Sequence, residues 1–192
     1  PDGKPLMESR AMMKPNFLFN VEQCDGLPDS VAAAPHESPV TEYPGTIDWP
    51  TEKRICEIVH MAGVKVAFRL QNRACYARHT DSILMPKAEQ FFTHADYFST
   101  LLHEVVHATG HESRLNREGI TKPSKEFGDP VYAFEELIAE MGSAFLCAQL
   151  GVFGDVQHDS YIKSWLEVLK SDKKALFRAC RHAREAAEFL LQ

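Results

Sequence analysis

The sequence predicts an α+β fold, in which a small antiparallel sheet packs on a helical layer and further helices close the chain. Three observations carry this prediction. Phe98, Leu101, Leu102, Val105 and Val106 recur at i, i+3, i+4, i+7 and i+8, the single buried stripe of an α-helix. Just before them, Val64–Leu70 and Cys75–Met85 are strand-like runs. After them, helical periodicity returns in three further stretches up to the C-terminus.

At 192 residues the chain can bury the core of one domain. It carries 27 acids against 21 bases, a net charge of −6 with no basic block, which argues against nucleic-acid binding by this stretch. The densest bases, Lys170–Lys174 and Arg178–Arg184, are interleaved with Asp172 and Glu185, and Phe177 and Phe189 are expected to be buried rather than offered to nucleobases. No apolar run approaches the ~18 residues of a membrane span, so no membrane partner is expected. No signal peptide is visible, and the opening Pro-Asp-Gly-Lys reads like the middle of a longer chain. Five scattered cysteines without a C-x-x-C pair suggest free thiols in a reducing cytoplasm.

In chain order, Asn16–Gln23 reads as a strand with Phe17, Phe19 and Val21 on one face. Residues 24–50 hold five prolines and read as an extended wrap or linker. Residues 1–48 are therefore taken as an N-terminal strand and wrap, and 49–192 as the domain that carries the chemistry. Thr51–Ala62 reads as a short helix with Thr51 as N-cap and Gly63 as its stop. The two strand-like runs, with Gln71-Asn72-Arg73 as a turn, form a hairpin whose edge would lie beside a cleft. An extended peptide could pair with such an edge by strand addition.

The next helix has Thr93 and Asp96 as a capping box and Gly110 at its end. It contains His103-Glu104-Val105-Val106-His107, an H-E-x-x-H motif. One turn apart, His103 and His107 point the same way and can hold one Zn²⁺, with Glu104 placed to take a proton from water. The pattern also arises by chance on solvated helices. Here His-Glu directly follows Leu-Leu and precedes Val-Val, and burying His103, Glu104 and His107 without a partner would be costly. A histidine at position 113 would complete one known zinc pattern, but that residue is Ser113.

A second helix offers glutamates instead. Val131–Leu150 has Asp129 as N-cap, Pro130 in its first turn and Gly151 beyond its end. Its expected apolar face is Phe134, Leu137, Ile138, Met141, Phe145 and Ala148, interrupted one turn apart by Glu136 and Glu140. One of these acids would be a zinc ligand and the other an acceptor that orients a ligand histidine. Glu135, ~100° round the helix from Glu136, is expected to miss the metal. Between the two helices, residues 112–129 read as a polar loop. Two helices close the chain, one capped by Asp159 and carrying Tyr161, Ile162, Trp165, Leu166 and Leu169. The other starts near Ser171, with Leu176, Ala179, Cys180, Ala183, Ala186, Ala187 and Leu190 on one face.

Four segments, FNVEQ (19–23), LHEVVHATGHESRLNR (102–117), YAFEELIAEMGSAFL (132–146) and YIKSWLEVLKSD (161–172), are together far more specific than H-E-x-x-H. In them the chain resembles the ArdC-type antirestriction proteins and their relatives among plasmid TraC-type primases and polyvalent phage proteins. The resemblance implies a zincin-like, gluzincin-type metallopeptidase domain with His103, His107 and Glu136 on zinc and Glu140 behind them. It implies Glu104 as general base on a protein or peptide substrate. Single-stranded DNA would be bound through an N-terminal domain absent from this chain, and the protein would be cytoplasmic or transferred into a recipient cell. Ala108 departs from the bulky aromatic of many relatives, which bears on packing. An oxyanion partner is also needed, with His111, Tyr132, Arg114 and His94 as candidates. The competing expectation is a zinc-stabilised protein-binding module that cleaves nothing and protects incoming DNA through host proteins. Glu104 favours the enzyme, since a purely structural zinc has no use for a base there.

Overall fold

The computed structural model describes residues 25–26, 28, 48–122, 130–153, 165–166, 169–170 and 172–192. The chain divides into two compact units, Pro1–Glu42 and Tyr43–Gln192, and the second holds the elements described below. The strand expected at 16–23, most of the proline-rich segment and the caps Asp129 and Asp159, with Tyr161 and Ile162, lie outside the described residues.

Helix α1 spans Trp49–Met61 and is capped by Asp48, whose side chain accepts from the Thr51 amide at 3.0 Å. The cap is thus Asp48 and not Thr51, because a carboxylate at this position meets the free N–H groups while Pro50, lacking one, fits the first turn. At the other end Gly63 takes φ +67, the left-handed conformation that stops the helix.

Three strands follow, β1 (Lys65–Arg69), β2 (Cys75–Ala77) and β3 (Ser82–Pro86). Their order is β1-β3-β2, with β1 parallel and β2 antiparallel to β3. The sheet is therefore mixed, and the hairpin expected between 64–70 and 75–85 does not form. The second run breaks at residues 78–81, where Asp81 adopts φ +43, and so supplies both strands of the real hairpin. Burial explains the choice: Ile83 and Met85 are fully buried, which places β3 in the centre, whereas β1 is almost wholly exposed.

Helix α2 (His94–Thr109) forms as its sequence dictates. Thr93 Oγ1 accepts from the Asp96 amide at 3.0 Å while the Asp96 carboxylate accepts from the Thr93 amide at 3.1 Å. Phe98, Leu101, Leu102, Val105 and Val106 are all buried. Gly110 caps the helix with an ordinary φ of −76, and the position is kept as glycine for a steric reason, since a Cβ there would lie 2.5 Å from Ile120 Cγ1.

The short helix α3 (Glu118–Thr121) leads to the long helix α4 (Pro130–Leu150), and α5 (Ala175–Leu190) packs along α4. The buried face of α4 is rotated from the expected one. It consists of Ala133, Glu135, Glu136, Leu137, Ile138, Ala139, Gly142, Ser143 and Leu146, whereas Phe145 and Ala148 are exposed. Two acids thus replace two hydrophobes on the inner face. Helix α5 turns Ala175, Ala179, Ala183, Ala186, Ala187 and Leu190 inward and leaves Leu176 and Phe177 exposed, so Phe177 is not buried as expected. Trp165 and Leu169 pack against the core, while Leu166 is exposed.

The crossing of α2 and α4 positions the site. Gly142 faces Val106, and a Cβ on Gly142 would lie 2.8 Å from Val106 Cγ1. From the next residue, Ser143, Oγ donates to the Ser99 carbonyl at 3.2 Å, two turns before Val106 on α2. Gly142→Ala should therefore cost about 1–3 kcal/mol by overpacking against a stiff β-branched side chain. In urea unfolding, Val106→Ala in the same chain should recover part of that loss, and purely additive costs would show that the contact is not tight.

Candidate metal centre

His103 and His107 leave α2 one turn apart and bring their Nε2 atoms to 3.2 Å of each other, with the rings at 79°. From α4, Glu136 reaches both: Oε2 lies 3.6 Å from His103 Nε2, and Oε1 lies 3.5 Å from His107 Nε2. One ligand atom from each of the three lies within 4.8 Å of the others, and all three side chains are largely buried. Tetrahedral ligands at ~2.0–2.1 Å from an ion stand about 3.3–3.4 Å apart. The observed separations match that figure, so the donor set fits zinc in both chemistry and size.

Behind each imidazole stands another carboxylate. Glu140 Oε1 is 3.6 Å from His103 Nδ1, and Glu135 Oε1 is 3.5 Å from His107 Nδ1. Helix α4 therefore brings three acids to the two histidines of α2. Glu140 sits where the sequence expected it. Glu135, expected from the sequence to miss the metal and given no other role there, faces His107. Its neighbour Arg117 was read as part of a polar loop and is instead buried against it, with Nη2 2.6 Å from Glu135 Oε1. The signal for both was weak: an E-E dipeptide and an arginine a few residues past H-E-x-x-H say nothing of burial.

The acids demand positive charge. Burial pushes His103 down, but Glu136 and Glu140 outweigh it and raise the imidazole to about 9. Burial likewise opposes His107, which Glu136 and Glu135 hold well above the ordinary range. Burial would raise Glu136, yet His107 and His103 hold it well below the usual carboxylate range. Protons or a divalent ion can meet this demand, so ion binding here displaces protons.

Glu104 is buried at 7% exposure and lines the same cleft as His103 and His107, a cavity of about 860 Å³. Its other walls include Cys75 and Tyr76 on the edge strand β2, with Phe91, Phe92 and Tyr132. An edge strand thus lies beside the cleft, formed by residues 75–77. Of the four oxyanion candidates, Tyr132 lines the cleft, and His94, His111 and Arg114 do not. His111 Nδ1 pairs with Ser113 Oγ at 2.8 Å. Arg114 donates to the carbonyls of Ala108 and Ala62 and forms a two-pronged pair with Asp81, tying the β2–β3 turn to the end of α2.

Two histidines and a glutamate on crossing helices, with an acid beside them on an open cleft, define a zincin-type centre. The sequence model of the zincin-like metallopeptidases matches residues 53–182, more than half of the chain, and the chain belongs to that family. It is 35% identical over 195 residues to DNA primase TraC of Escherichia coli, covering 99% of this chain and 17% of TraC. It is 34% identical over 175 residues to the uncharacterized protein y4eC of Sinorhizobium fredii, covering 90% of this chain and 52% of that protein. Among solved structures, it is similar to the Mn(II)-bound crystal structure of the antirestriction ArdC protein from plasmid R388. There the TM-score is 0.64 at 39% identity, over 76% of this chain and 52% of ArdC. The metal-free structure of the same protein gives a TM-score of 0.63 at 38% identity, over 90% of this chain and 57% of ArdC. The chain thus spans less than a fifth of TraC and about half of y4eC and ArdC. The ArdC and TraC resemblance and the zincin-like fold read from the sequence are both borne out.

The hydrogen bonds from Arg114 hold the Asp81 carboxyl below its ordinary value, so this pair stabilises the fold above the unfolded carboxylate pKa of about 3.9. The contribution is lost as pH falls through the lowered folded value. Arg114→Ala should thus cost about 1.5–3 kcal/mol at pH 7. The gap between the thermal melts of the two proteins should narrow as pH falls through the lowered Asp81 value, leaving the share owed to the Ala108 and Ala62 carbonyls, and a gap independent of pH would remove the ion pair from the account.

Proposed function

We propose that this chain is the zinc-dependent metallopeptidase domain of an ArdC-type antirestriction protein and acts on proteins or peptides. The observation that carries the reading is the convergence of His103 Nε2, His107 Nε2 and Glu136 on one point, with Glu104 on the same cleft wall. His103, His107 and Glu136 would hold the zinc. Bound there, zinc supplies Lewis acidity, polarising a carbonyl and lowering the pKa of water towards ~7. Glu104 accepts the proton of the attacking water on its carboxylate and later delivers it to the leaving amine. The edge strand β2 takes the substrate in extended form, where its outer side offers main-chain groups for pairing.

The domain is taken as residues 49–192, working in the cytoplasm or in a recipient cell. DNA contact is assigned to an N-terminal domain outside this chain. The bases of α5 support this assignment: Arg178, Arg181 and Arg184 pair with Asp172, Glu185 and Glu188, leaving little charge for phosphates. Anisotropy titration with single-stranded DNA at ~150 mM salt should find no sub-micromolar affinity, and steep salt-dependent binding would overturn the assignment.

The metal assignment predicts near-stoichiometric zinc by elemental analysis of protein purified without chelators. Glu136→Ala should lose the ion outright, whereas Glu140→Ala should weaken it by roughly 10–100-fold. The reverse ranking would interchange the two roles.

The catalytic assignment is tested by comparing the chain with Glu104→Gln on candidate host proteins, reading new N-termini by mass spectrometry. Cleavage by the wild type alone is expected. Equal effects of the two proteins would favour a zinc-stabilised binding module.

A further inference from the structure

We propose that Glu135, clamped by Arg117, is a positioning residue that fixes the His107 imidazole for the metal. The proposal rests on the metal reading above and extends it to two residues that touch no ion. Arg117 is 6% exposed and Glu135 3%. The guanidinium spends its donors within this one corner. Nε donates to both Glu135 oxygens at 3.1 Å, and Nη2 donates to Glu135 Oε1 at 2.6 Å and to the Val106 carbonyl at 2.7 Å. Nη1 donates to Thr109 Oγ1 at 2.6 Å. Arg117 therefore holds the main chain on the N-terminal side of His107 and, at the same time, the carboxylate 3.5 Å from His107 Nδ1.

The surrounding backbone is built to this clamp. Asn116 takes φ +48 and turns the chain back, so that the Arg117 amide donates to the Gly110 carbonyl at 2.9 Å. Gly110 leaves room for the guanidinium, since a Cβ there would come within 3.0 Å of Arg117 Nη2. Gly119 leaves room for the acid: its Cβ would lie 2.6 Å from Glu135 Cβ and 2.8 Å from Oε2. Two bare backbone positions and a left-handed turn thus converge on one ion pair. The oxygen that Arg117 grips most closely, Oε1, is also the one that faces His107 Nδ1, and an acceptor at Nδ1 keeps the proton there and leaves Nε2 free to bind an ion.

The test is zinc affinity, measured by chelator competition on the full chain beside an unfolding curve for each variant. Glu135→Gln should weaken zinc about 10–100-fold. Arg117→Lys, which contacts neither the imidazole nor a ligand, should also weaken it because a lysine cannot hold the fork. The double variant should lose no more than the worse single. Gly119→Ala, which leaves all charges in place, should weaken zinc by displacing the carboxylate. Ser143→Ala, which removes a hydrogen bond elsewhere at the α2–α4 crossing, should lower stability and leave affinity unchanged. Wild-type affinity in folded Glu135→Gln and Gly119→Ala would overturn the proposal. Equal weakening in Ser143→Ala would overturn it too, because general destabilisation would then suffice. Should Glu135→Gln fail to fold, ¹⁵N NMR of the zinc-loaded wild type decides instead. A protonated, hydrogen-bonded His107 Nδ1 supports the proposal, and an Nδ1 bound to zinc overturns it. Failure of the wild type to bind zinc at all would instead remove the metal reading itself.

Discussion

The close crossing of α2 and α4 is the constraint on which the site depends. Glu136 can reach two imidazoles on another helix because Gly142 lets Val106 approach to within a distance no Cβ would tolerate. Packed helices stand ~8–10 Å apart depending on the side chains at the contact, and a side chain at position 142 would push this pair towards the wider end. A short carboxylate such as Glu136 has little reach to spare. The small residue thus works at a distance from the chemistry, by setting how far apart two rigid supports stand.

The same crossing buries an unusual amount of charge. Glu104, Glu135 and Glu136 lie in the interior with His107, and isolated carboxylates there would be strongly unfavourable. Arg117 is the guanidinium that offsets them directly, and its pairing with Glu135 leaves the remaining demand on the two histidines. Buried ion pairs are weak evidence for stability, because desolvation consumes much of the attraction. What the pair does supply is direction, since a planar fork holds a carboxylate in one orientation.

Much of this was legible in the sequence, and the parts that were not share a cause. Helix α2 could be read because its capping box and its buried stripe are local patterns, repeated every 3.6 residues. The H-E-x-x-H spacing of His103 and His107 and the one-turn spacing of Glu136 and Glu140 were visible in the same way, whereas the division of roles between the two acids rested on the family resemblance. Strand pairing was misread because it is set by burial across the whole sheet: Ile83 and Met85 drive β3 to the centre wherever the nearest turn residues lie. The inner faces of α4 and α5 were misjudged for a related reason. Counting large hydrophobes favours Phe145, Leu176 and Phe177, but close-packed helices select small residues, so Gly142 and the α5 alanines face inward instead. Glu135 and Arg117 escaped notice because each reads as a surface charge until its partner is known.

The sheet complements the helices by restricting what can reach the centre. Strand β2 is three residues long, and no strand pairs with its outer side among the described residues. Long exposed edges invite unwanted pairing between chains, and shortness is a common defence. This edge also lines the cleft beside Glu104 and the two histidines, while Phe92, almost fully exposed, stands at the same opening. A chain that pairs with three residues of edge gains few main-chain hydrogen bonds, so its affinity must come from side-chain contacts along the cleft. On the proposed peptidase reading, recognition would therefore lean on the apolar rim more than on the strand, and a folded protein would have to present an extended segment to enter the cleft.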